Sequence, residues 1–113
     1  MNIHSSSIID PGAELGAGVT VGPFSIIGPH VQIGQKTVIG SHALIEANTV
    51  IGEGCKIFHG ASIGGEPQIM GFEDVSSSVE IGDGTVIREY ATIHRSGYKD
   101  GVTRIGKNCL LMA

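Results

Sequence analysis

Proton transfer near neutral pH is the usual work of histidine, and this chain has five: His4, His30, His42, His59 and His94. His42 and His59 are 17 positions apart. In the repeat described below, that spacing makes them diagonal neighbours on one outer side, where two ligands could seed a zinc site. A third ligand is needed. No other histidine joins them at the repeat spacing, so no metal is expected. His4 and His30 read as surface residues. His94, in Thr-Ile-His-Arg, either lines a cleft or holds the local fold.

Cys55 and Cys109 have no histidine at a spacing that would activate a thiolate, and both read as small buried thiols. Glu66, Glu73 and Asp74 read as a solvated loop face. Arg88 and Glu89 are adjacent in sequence, so on a strand they would point to opposite sides and not pair. Phe24, Phe58, Phe72 and Tyr90 are too scattered for a base-stacking platform.

These residues hang on a regular frame. Cut in sixes from Ile3, the chain reads IHSSSI, IDPGAE, LGAGVT, VGPFSI, IGPHVQ, IGQKTV, IGSHAL, IEANTV, IGEGCK, IFHGAS and IGGEPQ. Every first position from Ile3 to Ile63 is Ile, Leu or Val, and the fifth is small from Ser7 to Ala61. Glycine fills most second positions. A period of six fits neither an amphipathic helix nor a long alternating strand. It fits a coil with three flat sides, each a short β segment, with one aliphatic and one small residue turned inward and glycine easing the corner.

The expected fold is therefore all-β: a single-stranded parallel β-helix in which residues 18 apart stack. Ile3, Val21, Ile39 and Ile57 form one inner ladder; Ile9, Ile27, Ile45 and Ile63 a second; Leu15, Ile33 and Ile51 a third. The whole chain, 1–113, reads as one domain: regular hexads over 3–65, a loop at 66–80, hexads at 81–94, a loop at 95–104, and the start of a further coil, cut short at Ala113, over 105–113. Binding is expected on the loops carried by this scaffold.

A net charge of −4 and a pI near 5.6 give no reason to expect nucleic acid or an anionic membrane as partner. No apolar run approaches the length of a membrane span, and the N-terminus has no signal-peptide pattern. A cytoplasmic location is the default expectation.

Three segments carry a more specific resemblance: GASIG before the first loop, VEIGDGTVIREYATIHR after it, and IGKNCLLM near the end. Together they resemble the acyl-carrier-protein–UDP-N-acetylglucosamine O-acyltransferases of lipid A synthesis, within the hexapeptide-repeat superfamily. The resemblance implies a left-handed β-helix, a cytoplasmic homotrimer with sites between neighbouring subunits, and no cofactor. It implies transfer of a 3-hydroxyacyl chain from acyl carrier protein to the 3-hydroxyl of a UDP-amino sugar, with a histidine as general base. In the family that histidine follows the LLM segment on the next coil, which here places it beyond Ala113. None of the five histidines present matches it, so no catalytic residue is assigned and the chain alone is expected to be inactive. Gln68 is the expected nucleotide-sugar contact, with His94 as the second candidate. Ile69 and Gly71 stand where the family commonly has Asp and Lys, which leaves the identity of the sugar nucleotide open. The alternative reading is a non-catalytic β-helix serving as a scaffold or assembly module.

Overall fold

A computed structural model describes residues 1–113 and contains sixteen short strands and no helix. Most strands are two residues long, and every third one pairs, always in parallel, to give one six-stranded and two five-stranded sheets. The three sheets are the flat sides of a coil. No helix is long and apolar enough to cross a membrane.

The registers follow the sequence ladders. Ile3 pairs with Val21, Val21 with Ile39 and Ile39 with Ile57. Ile9, Ile27, Ile45 and Ile63 stack on the second side, and Leu15, Ile33 and Ile51 on the third. Beyond the excursions, the first side continues through Ile87 and Leu111, the second through Ile93, and the third through Ile81 and Ile105. These side chains fill the core together with the small fifth-position residues Val19, Val31, Ala43, Cys55 and Ala61.

The chain leaves the stack twice, and it returns sooner than the loop boundaries at 80 and 104 suggest. Strands Ser78–Ile81 and Val102–Ile105 begin inside those segments. Ser78 pairs with Val102 and Val79 with Thr49, so backbone pairing extends two or three residues upstream of the aliphatic Ile81 and Ile105. The excursions proper are 66–77 and 95–101. The segment 105–113 does complete one more rung: Leu110–Leu111 pairs with Val86–Ile87, and Met112 and Ala113 follow it as exposed residues outside the strand.

Second-position glycine acts differently from the expected easing of the corner. At the second position it permits close approach: a Cβ at Gly22 would lie 2.8 Å from the carbonyl carbon of Gly40 in the next coil. The turn itself is made at the fourth position, where Phe24, Lys36, His42, Asn48 and Tyr90 all adopt φ of 54° to 63°. Left-handed backbone is unfavourable for L-residues by about 1–2 kcal/mol each. Here the stacked coils impose it.

Fifth-position hydroxyls rivet one coil to the next. Thr37 Oγ1 donates to Gly52 O at 2.8 Å and accepts from Cys55 N at 3.1 Å. Ser25 bridges Gly40 and Ala43 in the same way, and Thr85 bridges Gly106 and Cys109. Thr49 is the exception, for its buried Oγ1 has no partner. The equivalent acceptor would be Gly64, turned aside with φ of 87°, and the equivalent donor, the N–H of Val79 stacked on Thr49, goes to Asn48 O at 3.2 Å instead. Thr37→Val should therefore cost about 1–3 kcal/mol, because it leaves buried backbone groups unpaired, whereas Thr49→Val should be neutral or mildly stabilising. Urea denaturation of the two variants checks the contrast; equal losses would contradict it.

Candidate functional site

The first excursion starts at a break in the ladder. Strand Ser62–Gly65 pairs with Thr92–His94, and the register shifts between Ile63 and Gly65 so that Gly65 meets His94. Gly64 must be glycine here, since its φ is positive and a Cβ would press on Thr49 Oγ1. Past Gly65, Pro67 is buried while Gln68, Ile69 and Met70 are exposed.

Arg95 gathers this excursion. Its backbone N–H donates to Gly65 O at 3.0 Å, where the chain leaves the stack. Its Nη1 donates to Val75 O at 2.6 Å and Ser77 Oγ at 3.0 Å, where the chain returns. Nη2 meets Asp74 Oδ1 at 2.6 Å, and the guanidinium lies 5.5 Å from the centre of the Phe72 ring. The second excursion is tied on through Asp100 N to Ser76 O and Ser78 N to Gly101 O.

Between these excursions and the coil below runs a groove of about 560 Å³. Glu46, Ala47, Asn48 and Gly64 face Glu66, Asp74, Val75 and Ser76 across it, with Arg95 also on its wall. A second groove of about 480 Å³ shares Asn48 and Ser76 and adds His30, Gln32, Ser77, Ser78 and Asp100. Both are rich in carboxylates, amides and hydroxyls, which suits a polyhydroxylated ligand better than an apolar one.

The hexapeptide-transferase family, described as bacterial transferase hexapeptide (six repeats), matches residues 1–35. The acyl-carrier-protein–UDP-N-acetylglucosamine O-acyltransferase of Sulfurihydrogenibium sp. is 60% identical over 114 residues, an alignment that covers 100% of this chain and 42% of that protein. The chain belongs with the N-terminal part of this O-acyltransferase family. The enzyme of the same name from Trichlorobacter lovleyi is 55% identical over 116 residues, covering 100% of this chain and 44% of the relative. The crystal structure of the Moraxella catarrhalis UDP-N-acetylglucosamine O-acyltransferase superposes with a TM-score of 0.94 at 44% identity, covering 99% of this chain and 44% of that one. The chain thus spans well under half the length of these relatives.

Within this O-acyltransferase frame, the two residues singled out from the sequence neighbour groove residues along the chain, Gln68 two positions from Glu66 and His94 next to Arg95. Gln68 is exposed on the first excursion, and His94 is half-buried at the end of its strand, opposite Gly65. Neither lines the larger groove. His42 and His59 turn to different aromatic neighbours: His42 lies 5.2 Å from the Phe24 ring and His59 5.4 Å from Tyr90. His4 hydrogen-bonds Ser6 at the surface, and His30 is exposed on the wall of the second groove. The last rung, from Leu110 to Ala113, carries no side chain able to take a proton.

Three expectations need correction. Arg88 and Glu89 do pair, with Nε to Oε1 at 2.8 Å, because they occupy a corner and not a strand. The adjacent Arg88 holds the Glu89 carboxyl below its ordinary range. Asp74 is exposed as expected, but its carboxylate is committed to Arg95. Cys109 is only half-buried, for no coil lies beyond it among residues 1–113.

Cys55, by contrast, is 1% exposed, and burial pushes its thiol above the ordinary range. With the folded value raised, the neutral thiol contributes stability below the unfolded pKa, and that contribution is lost as pH rises through the folded value. Two results are expected. An aromatic disulfide should label Cys109 in the native protein and reach Cys55 only on unfolding. The loss of stability above roughly pH 9 should be smaller in Cys55→Ala, relative to its own neutral-pH value. Equal native labelling of both thiols would contradict this account of the core.

Proposed function

We propose that the chain forms the N-terminal coils of an O-acyltransferase that moves a 3-hydroxyacyl group from acyl carrier protein to the 3-hydroxyl of UDP-N-acetylglucosamine in lipid A synthesis. The observation that carries this reading is 60% identity, along the whole chain, to a protein of that name. On this reading the left-handed coil, the cytoplasmic homotrimer and the partners, acyl carrier protein and UDP-amino sugar, are those of the family. Gln68 and His94, which neighbour the groove residues Glu66 and Arg95 along the chain, contact the nucleotide sugar. The amide of Gln68 can both donate and accept, and His94 can donate to a phosphate or hydroxyl oxygen.

On the same reading, the general base that takes the sugar hydroxyl proton belongs to the coil after Ala113. No histidine here is placed for the task, so residues 1–113 bind without turning over. Titration of the chain with UDP-N-acetylglucosamine, followed by amide NMR, should give saturable shifts around Gln68 and His94. Gln68→Ala and His94→Ala should each weaken binding about tenfold. Acyl carrier thioester added to the complex should not be consumed. A folded chain that ignores the nucleotide sugar would sink the assignment and leave the scaffold reading. Turnover by the chain alone would sink the placing of the base.

A further inference from the structure

We propose that Arg95 is a positioning residue: it latches the excursion 66–77 in the one shape that presents Gln68. This rests on the reading of Gln68 as a nucleotide-sugar contact. Residues 66–77 gain nothing from the ladder, because the parallel pairing stops at Gly65 and resumes at Ser78. Apart from Ile69 N to Pro67 O and Phe72 N to Ile69 O, the segment has no backbone bonds of its own. A free segment of that length samples many shapes.

One residue ties its departure, middle and return, the last two through its side chain. The Arg95 backbone holds Gly65, its ring-facing surface covers Phe72, and its fork takes Asp74, Val75 O and Ser77 Oγ. The Arg95 side chain is 16% exposed and that of Asp74 84% exposed. The guanidinium is therefore seated by the carbonyl and hydroxyl, and the exposed carboxylate closes over it. Three partners in fixed directions need the planar fork, which lysine cannot reproduce.

The test uses Arg95→Met, Arg95→Lys and Asp74→Ala in the chain, with amide exchange read by peptide mass spectrometry and UDP-N-acetylglucosamine affinity measured in parallel. Arg95→Met should speed exchange at Ile69 and Phe72, the two bonded amides of 66–77, about tenfold or more and leave the ladder at 20–57 protected. Arg95→Lys should recover little of that protection. Asp74→Ala should loosen the segment less, and should add nothing in the Arg95→Met background. Unchanged protection of 66–77 in Arg95→Met would overturn the latch. So would protection lost alike along the whole chain in Arg95→Met while Asp74→Ala leaves the segment unchanged. A segment that loosens with no change in affinity keeps the latch and removes Gln68 from the binding site, so the two readings fail separately.

Discussion

Gly34→Ala is expected to destabilise the stack by about 3 kcal/mol or more, at the upper end of overpacking effects. The added methyl would sit 2.6 Å from the carbonyl carbon of Gly52 and 2.7 Å from Glu53 N. Both atoms are backbone, so no side-chain rotation relieves the contact. The coils cannot part locally either, because Gly34 N donates to Ile51 O at 2.8 Å and Gly52 N to Ile81 O at 2.9 Å. Relief requires breaking such bonds or tilting a whole coil.

Gly54→Ala is the control. Gly54 has φ of 62° and nothing within 4 Å of an added Cβ, so only the left-handed penalty applies, about 1–2 kcal/mol. Gly54→Asn should cost less still, since Asn tolerates that conformation. Denaturant unfolding of the three variants separates close approach from backbone strain. If Gly54→Ala cost as much as Gly34→Ala, close approach would not be the reason for second-position glycine.

This division between two kinds of glycine marks where the sequence is readable. The aliphatic at every sixth position is a packing demand that nothing else on the chain mimics, so the ladders from Ile3 to Ile63 could be written down residue by residue. Second-position glycine was visible too, but the chain does not announce whether a glycine is there for space or for φ. The left-handed fourth position was hidden because Phe24, Lys36 and Tyr90 occupy it, and none of them advertises positive φ. The pairing of Arg88 and Glu89 follows from the repeat itself. Ile87 is a first position, so 88 and 89 had to fall on the corner, where strand alternation does not apply.

The site was less legible than the frame. Gln68 and His94 stand out only through resemblance, and both lie near where an excursion leaves the stack. Arg95 lies one residue from His94, and nothing in the sequence marks its role. Its partners at Asp74, Val75 and Ser77 are about twenty positions upstream. They belong to a segment without period, so no spacing rule links them.

Ile51→Ala is expected to cost about 3–5 kcal/mol, the range for a large-to-small change in a core that cannot collapse. Ile51 is 1% exposed, with Ile33 on one side and Ile81 on the other, the third of five residues in the ladder that runs from Leu15 to Ile105. Its backbone carbonyl accepts from Gly34 N, so the coil holds its spacing when the side chain is cut back and the void persists. Leu15→Ala, at the half-buried end of the same ladder with only Ile33 above it, should cost about 1–3 kcal/mol, in line with its smaller buried area. In urea, the Ile51→Ala midpoint should fall well below that of Leu15→Ala with the slope unchanged. Equal midpoints would mean that the stack does not transmit packing from coil to coil. The loss also has a local consequence, because Thr49–Ile51 is the strand on which Ser78–Ile81 lands when the first excursion returns. Loosening that landing frees Ser77 and Val75, two of the groups that Arg95 holds. Ile51→Ala should therefore raise exchange across 66–77 before it raises exchange at the far coils, linking core packing to the shape of the groove.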